Sequence, residues 1–156
     1  MSASTGDGDV RIRTAGDDDL DGIMAIEHAA FEASAWERAT MRAELASEWG
    51  RYVVAVAGDG RMLGYAGLRA VGVEGDVQTI AVDAGARGRG IGRALLAELL
   101  AEAGRRGVRE LFLEVRADNP VARGLYESVG FREIGVRPRY YQPEDVDAVV
   151  MKRSSS

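Results

Sequence analysis

A glycine- and arginine-rich stretch, RGRGIGRALL at residues 87–96, has residue types that point directly to ligand chemistry. It follows a β-rich run and leads into an apolar pattern with helical spacing, so it lies at the start of a helix. Backbone N–H groups at such a start have no acceptor within the helix, and the helix dipole adds roughly half a positive charge there. Glycines let a phosphate approach those groups, and Arg87, Arg89 and Arg93 add full charge. The alternative is a tight turn with solvated arginines, but the coincidence of glycines, arginines and strand–helix context favours a phosphate-binding loop.

Two well-known phosphate-binding loops do not fit this stretch. A Walker loop requires Gly-Lys-Ser/Thr at its end, but Ile91 follows Gly90. A dinucleotide fingerprint requires a glycine where Arg93 stands, and it normally sits on the first strand of its domain. The pattern that remains is Arg-x-x-Gly-x-Gly, from Arg87 to Gly92.

Two ionisable residues further along the chain could transfer protons. In ELFLEVR, residues 110–116, strand alternation places Phe112, Glu114 and Arg116 on one face. A carboxylate within an apolar strand is unusual, so Glu114 is either a functional group or a strand-end residue paired with Arg116 or another arginine. Tyr126 lies on the next helix, where a tyrosine by itself would be a packing residue with a solvated hydroxyl.

Composition narrows the chemistry further. The 156 residues fit one domain, and the absence of cysteine excludes disulfides, thiolate zinc sites and a cysteine nucleophile. The single histidine, His28, excludes a His-rich metal site and is predicted to lie on a helix surface, so no metal is expected. The formal net charge of −5 argues against nucleic-acid binding, and no apolar run is long enough to span a membrane. The absence of cysteine is compatible with the cytoplasm, which is the expected location.

The elements that must position these residues follow from hydrophobic periodicity and turn signals. They predict a mixed α/β domain over residues 10–152, with disordered tails at 1–9 and 153–156. Asp17–Asp19 are predicted to be a solvated helix start, and Trp49 a packing residue. The predicted elements are a strand over Val10–Ala15, a helix in GDDDLDGIMAIEHAAF with Asp17–Asp19 at its start, a helix over Glu37–Glu48, a hairpin around GDGR, a strand over Asp76–Val82, a helix over Gly90–Arg106, a strand over Glu110–Val115, a short helix from Pro120, and closing strands in FREIGV and VDAVVMK.

The Arg-x-x-Gly-x-Gly loop after a strand, with NPVARGLYESVGF at residues 119–131, resembles the GNAT acyltransferases over roughly residues 10–152. The resemblance implies the GNAT fold: a mostly antiparallel central sheet with one splayed parallel strand pair and helices on both faces. It also implies acetyl-CoA as the acetyl donor, with the pantetheine arm in the gap between the splayed strands. The cofactor-binding residues that it implies are Ile80, Ala81 and Val82 for the acetyl-pantetheine arm, Arg87, Gly88, Arg89, Gly90, Ile91, Gly92 and Arg93 for the pyrophosphate, and Asn119 for the pantetheine side.

The run from LEVR to GF, and RYYQPEDVDAVVM at residues 139–151, are similar to the RimI type of GNAT enzyme. Enzymes of that type acetylate the N-terminal alanine of a small-subunit ribosomal protein. The resemblance implies that Glu114 is the general base, acting through water, and that Tyr126 is the general acid toward the CoA thiolate. It further implies a backbone N–H near Val82 as the oxyanion donor. The implied acceptor is a protein or peptide N-terminus of a ribosomal protein, and the expected assembly is a monomer or weak dimer.

The acceptor side departs from the family pattern. The family often has Pro-Trp after the first helix, whereas Ala35 precedes Trp36 here, and Val146 stands where an acidic residue is common. Trp36, in a loop that borders the acceptor site, and Tyr141 are the candidate substrate-binding residues, with packing as the alternative for Trp36. Adjacent strand residues point to opposite faces, so only one of Tyr140 and Tyr141 is expected to line the peptide channel, with the other in the core.

Two alternatives stay open from the sequence. The same chemistry could serve another amine, such as a lysine, a polyamine or an aminoglycoside, which a screen of peptides and small amines would separate. The chain could also be a CoA-binding module without turnover. The presence of both Glu114 and Tyr126 speaks against a module without turnover.

Overall fold

A computed structural model describes residues 9–155, so residues 1–8 of the tail predicted at 1–9, and residue 156 of the tail predicted at 153–156, lie outside the described residues. Between residues 9 and 155, seven strands form one sheet, and four α-helices pack against it in the order that the sequence predicts. Short 3₁₀ turns lie at Asp17–Asp19, Glu32–Ser34 and Ala84–Ala86. The elements are β1 (Val10–Thr14), α1 (Leu20–Phe31), α2 (Arg38–Ala46), β2 (Gly50–Ala57), β3 (Met62–Val71), β4 (Glu74–Val82), α3 (Ile91–Arg105), β5 (Glu110–Arg116), α4 (Pro120–Ser128), β6 (Arg132–Tyr141) and β7 (Val146–Ser154).

The sheet has the order β1-β2-β3-β4-β5-β7-β6, and its neighbouring strands are antiparallel except for β4 and β5. The parallel pair is joined only from Glu74↔Glu110 to Asp76↔Phe112. Pairing ends there although β4 continues to Val82 and β5 to Arg116. The sheet therefore opens into a gap between β4 and β5, and the prediction of a mostly antiparallel sheet with a splayed parallel pair is confirmed.

The core lies on both faces of the sheet, because β2 and β3 are buried along most of their length. Alternation on β2 sends Val53 and Ala55 toward α3 and sends Tyr52 and Val54 toward α1. Each fully buried aliphatic side chain contributes about 1.5–3 kcal/mol to folding. The buried α3 residues are Ile91, Leu95, Leu96, Leu99 and Ala103, and the first four belong to the predicted stripe, whereas Leu100 is only partly buried.

The structure corrects the carboxyl-terminal boundary of the domain. β7 continues past residue 152, and Arg153 and Ser154 pair with Leu111 and Glu110 of β5. The Arg153 guanidinium also donates to the carbonyl oxygen of Val129 at 2.8 Å. Residues 153 and 154 are therefore part of the sheet and not of a disordered tail.

Three smaller predictions have mixed outcomes. His28 is exposed on α1, as predicted. Trp49 is 44% exposed, so its assignment to packing is wrong. Asp19 is also not solvated: it is buried, and its carboxylate accepts two hydrogen bonds from Arg13 (2.8 and 2.9 Å) and one from the Gly16 N–H (2.8 Å). The hydrogen bonds from Arg13 hold the pKa of Asp19 below its usual value.

Candidate active site

The glycine loop enters α3 through two residues in the left-handed backbone region. Gly88 has φ +79°, and Gly90, the N-cap of α3, has φ +77°. Such φ values cost little for glycine and are strained for residues with a Cβ, so the glycines fix the course of the loop. Ile91 is buried and anchors the first turn of α3 in the core. The free N–H groups of this turn therefore face outward from a firmly held helix end.

A cavity of about 470 Å³ lies beside the loop, between β4 and α4. It collects most of the residues that were assigned to the cofactor, but Arg89 and Arg93 do not line it. Ala81 packs its side chain against the α1 side of the core, so the cavity meets it mainly through its backbone. The side-chain oxygen of Asn119 caps α4 by accepting the Ala122 N–H at 3.1 Å, which leaves its amide N–H₂ for other partners. The assigned residues that line the cavity are Ile80, Ala81, Val82, Arg87, Gly88, Gly90, Ile91, Gly92 and Asn119.

The backbone of β4 at Val82 faces the gap. The Asp83 N–H donates to the Leu63 carbonyl at 2.7 Å, and hydrogen-bonded pairs alternate along an antiparallel ladder. The next pair, Gly64↔Val82, is therefore a non-bonded pair, and the Val82 N–H points away from β3 toward β5. Because β5 no longer pairs with β4 at this level, that N–H is available as a donor inside the gap.

A smaller cavity of about 190 Å³ joins the two predicted catalytic residues, Glu114 and Tyr126. Tyr126 is 9% exposed, packs edge-to-face on Phe131 with ring centroids 5.9 Å apart, and also lines the cofactor cavity. Its hydroxyl forms none of the hydrogen bonds found among residues 9–155 and opens into these cavities. Burial raises the pKa of Tyr126 to about 12, so the phenol keeps its proton throughout the neutral range.

Glu114 combines both interpretations that the sequence left open. One carboxylate oxygen lies 2.8 Å from Nε of Arg137, so the ion pair with an arginine exists. The partner is not Arg116, which instead contacts Asp118 and Glu144. The Glu114 side chain is 29% exposed and lines both the small cavity and a larger one beside it, so it also faces the site.

The larger cavity, of about 520 Å³, lies on the other side of Glu114 from the cofactor cavity. Both Tyr140 and Tyr141 line it, with ring centroids 5.2 Å apart, so the expectation that one of them lies in the core is wrong. The register of β6 shifts between Arg137 and Tyr141, and Arg139 has φ +52°, which breaks the strand alternation. Trp36 borders this cavity and the small one, as does Tyr141, so both residues that the sequence assigned to the acceptor line the two cavities that contain Glu114.

Two carboxylates of the site escaped the sequence analysis. Asp76 lines the larger cavity, and burial together with the charge of Glu114 raises its pKa. The sequence could have indicated this, because strand alternation on β4 places Asp76 on the same face as Gln78, which also lines the larger cavity. Glu27 lines the small cavity and is 2% exposed on α1. The sequence could have indicated its burial, because Glu27 follows Ile23 by four residues and so lies on the apolar face of α1.

The structure explains why alanine, and not the proline that is common in the family, precedes Trp36. Ala35 has φ −63°, which a proline could adopt, but its N–H donates to the Glu32 carbonyl at 3.1 Å. Proline has no N–H and would lose this bond. Alanine is therefore the residue that suits the turn at this point of the chain.

No helix between residues 9 and 155 is long and apolar enough to cross a membrane. In the same part of the chain, no group of three or more His, Asp or Glu side chains could hold a metal ion.

A loop that offers free N–H groups, a split sheet and a cavity between them describe an acyl-CoA-dependent transferase, and comparison with known proteins agrees. Residues 20–131 match the acetyltransferase (GNAT) family, and the chain belongs to that family. GNAT acetyltransferases use acetyl-CoA, and this chain is an N-acetyltransferase.

The relatives narrow the class to the RimI type. The chain is 48% identical over 124 residues to the N-alpha-acetyltransferase RimI of Mycobacterium tuberculosis, a match that covers 77% of this chain and 76% of that protein. It is 44% identical over 142 residues to an uncharacterised Mycobacterium leprae protein, of which it spans only 38%. The crystal structure of the ribosomal-protein-S18-alanine N-acetyltransferase from Escherichia coli superposes with a TM-score of 0.85 at 35% identity, covering 94% of both chains.

Proposed function

We propose that this chain transfers the acetyl group of acetyl-CoA to the N-terminal α-amine of a protein, with the N-terminal alanine of ribosomal protein bS18 as its preferred acceptor. The observation that carries the proposal is the small cavity that joins Glu114 and Tyr126 and lies between the cofactor cavity and the open acceptor cavity. A ribosomal-protein acceptor would place the enzyme in the cytoplasm.

The donor half of the proposal rests on the loop and the gap. The N–H groups at the start of α3 and the side chain of Arg87 suit the pyrophosphate of acetyl-CoA. The unpaired edge of β4 from Ile80 to Val82 suits the amide groups of the pantetheine arm. Acetyl-CoA supplies the thioester, whose carbonyl oxygen would accept from the Val82 N–H as negative charge develops on it.

The proton steps fall to two side chains. The acceptor amine loses a proton, which Glu114 takes through a water molecule so that the nitrogen lone pair can attack the acetyl carbon. The attacking nitrogen then gives up its second proton as the C–S bond breaks. The hydroxyl of Tyr126 donates its proton to the departing sulfur, and the proton lost by nitrogen restores the phenol, so the products are the amide and the CoA thiol. Tyr126 is well placed for this because it lines both the small cavity and the cofactor cavity and has no competing hydrogen bond among residues 9–155.

The acceptor half of the proposal rests on the larger cavity. It is open, flanked by aromatic rings, and contains the carboxylates of Asp76 and Glu114, which suit a protonated amine as it approaches. The Arg137 side chain that pairs with Glu114 is 59% exposed. An exposed pair of this kind is worth about 0–1 kcal/mol, so an entering peptide can displace it at little cost.

The experiment compares two versions of one peptide by mass spectrometry after incubation with acetyl-CoA. The first begins with a free alanine and has no lysine. The second differs in two ways: its N-terminus is blocked, and one internal residue is replaced by lysine. The proposal expects acetylation of the first peptide at its α-amine. If only the blocked peptide or free polyamines react, the acceptor assignment is wrong while the donor assignment stands.

A further inference from the structure

Glu27 is a buried carboxylate that the proposed proton steps do not use. It is 2% exposed, whereas the other inward residues of α1 are apolar. It takes part in none of the salt bridges between residues 9 and 155, and the charge of the exposed His28 acts on it only at a distance. Burial accordingly raises its pKa. A carboxylate in such a place is costly unless its oxygens receive hydrogen bonds.

Both oxygens of Glu27 do receive one, from two different parts of the fold. Oε1 accepts the hydroxyl of Tyr65, a fully buried residue in the middle of β3. Oε2 accepts the backbone N–H of Trp36 at 2.9 Å. Since both oxygens are occupied by donors, Glu27 differs from Glu114, whose carboxylate is partly exposed and faces the acceptor cavity.

The Trp36 bond connects Glu27 to the acceptor loop, which we define as residues 32–37 between α1 and α2. Among residues 9–155, the other backbone hydrogen bonds of this loop are local: the Glu32 N–H donates to His28, the Ala35 N–H donates to Glu32, and the Glu37 carbonyl accepts the N–H of Met41 in α2. The Trp36 side chain forms part of the wall of both the acceptor cavity and the small cavity. The position of this wall therefore depends on a carboxylate that is itself held against the sheet by Tyr65.

We propose that Glu27 is a positioning residue that holds the acceptor loop in its binding geometry and so sets the affinity for the acceptor peptide, without touching the reacting atoms. The peptide part of this inference rests on the proposed function, whereas the placement of Trp36 does not. A Glu27→Gln side chain keeps both links, since its carbonyl oxygen accepts the Trp36 N–H and its amide donates to the Tyr65 hydroxyl oxygen. A Glu27→Ala side chain removes both links and leaves the Trp36 N–H without its acceptor.

The kinetic test measures KM separately for peptide and for acetyl-CoA. Glu27→Ala should raise the peptide KM about tenfold or more, the size expected when a buried donor loses its partner, with the acetyl-CoA KM within about twofold of wild type. Glu27→Gln should restore the wild-type peptide KM. The matched control is Met24→Ala, which truncates another buried side chain of the same helix and the same core cluster. The inference is wrong if Glu27→Ala and Met24→Ala change both constants alike, or if Glu27→Gln behaves like Glu27→Ala.

A second measurement does not depend on activity. The chain has two tryptophans, so in a Trp49→Phe background Trp36 is the only indole. Acrylamide should quench its fluorescence more strongly in Glu27→Ala than in Glu27→Gln or Met24→Ala. Unchanged quenching in a folded Glu27→Ala variant would overturn the positioning role. If Glu27→Ala does not fold, Tyr65→Phe, which removes only the hydroxyl of the sheet anchor, must raise quenching and peptide KM, or the inference fails. A protein that acetylates no peptide but shows the quenching change would refute the proposed acceptor and not the role of Glu27.

Discussion

The Tyr126→Phe substitution removes one hydroxyl, and the structure indicates how much activity should go with it. The hydroxyl has no hydrogen-bond partner among residues 9–155, so its loss should change the free energy of unfolding by less than about 1 kcal/mol. Burial raises the pKa of Tyr126 to about 12, which makes the phenol about 3000-fold less acidic than a thiol with pKa near 8.5. We therefore expect the Tyr126 hydroxyl to form a strong hydrogen bond to the developing thiolate, and not to transfer its proton fully to sulfur before the C–S bond breaks.

The size of the loss follows from these two limits. A hydrogen bond to a charged group is worth about 1.5–3 kcal/mol, or roughly 10- to 150-fold in rate. A positioned general acid contributes roughly 100- to 10,000-fold. We expect kcat of Tyr126→Phe to fall about 100-fold, where the two ranges meet, with acetyl-CoA KM little changed. The loss should be constant from about pH 6.5 to 9.5, because a phenol with pKa about 12 stays protonated over that range.

The assay follows CoA release with a thiol-reactive dye. The chain contains no cysteine, so the dye reports CoA alone. The matched control is Tyr52→Phe, which removes the hydroxyl of another buried tyrosine, bonded to Glu44 and outside the three cavities of the site, and should leave kcat near the wild-type value. If Tyr126→Phe turns over like the wild type while its thermal melt is unchanged, Tyr126 is a packing residue and the assignment of the acid is wrong. A loss that disappears at high pH would equally refute it.

Three further substitutions test other parts of the site. Glu114→Gln should lower kcat/KM most near pH 7 and progressively less toward pH 9, because an N-terminal amine with pKa near 8 then deprotonates unaided; a pH-independent loss would argue against a base. Gly90→Val should weaken acetyl-CoA binding at least tenfold by calorimetry, because φ is +77° at this N-cap and valine is strained there. Gly104→Val, on the same helix without a positive φ, should leave the affinity unchanged. Equal affinities of the two variants would show that the loop does not bind the pyrophosphate. Burial raises the pKa of Glu27, so the wild type loses stability as pH rises above the ordinary pKa of glutamate. The Tm of Glu27→Gln relative to the wild type should therefore increase from pH 4 to pH 7, and a Tm difference that is constant over this range would contradict the prediction.

The sequence was sufficient for the elements because their signals are local. The apolar stripe of α3 and the alternation of β5 each repeat within one element, and the structure keeps both. The loop could also be recognised, because a left-handed N-cap at Gly90 calls for glycine whatever surrounds it. Glu114 and Tyr126 share a cavity as expected, although their roles remain predictions.

The features that escaped depend on contacts between distant parts of the chain. The paired tyrosines of β6 share a face because of a register shift against β7, and simple alternation cannot foresee a bulge. Asp19 is buried because Arg13, on the preceding strand, satisfies its charge. Glu27 lies on an apolar stripe of α1, where a glutamate is unexpected. It is tolerated because the hydroxyl of Tyr65, 38 residues away, donates a hydrogen bond to its carboxylate. In each case the residue type depends on a partner that local patterns do not reveal.

The short parallel seam between β4 and β5 has a consequence for the dynamics of the whole domain. Strands β1–β4 and β5–β7 are each continuous ladders, but within residues 9–155 the backbone hydrogen bonds between these halves are confined to the segment 73–76 against 109–112. We therefore expect the domain to open locally between the halves beyond this segment, where side-chain packing and the helices hold them together without backbone hydrogen bonds. At a donor concentration of about 100 times Kd, binding adds about 2.7 kcal/mol to the free energy of unfolding. Native-state hydrogen exchange should show that acetyl-CoA increases the protection of the amides of residues 77–82. The donor would then hydrogen-bond to the part of β4 that β5 leaves unpaired, in addition to supplying the acetyl group.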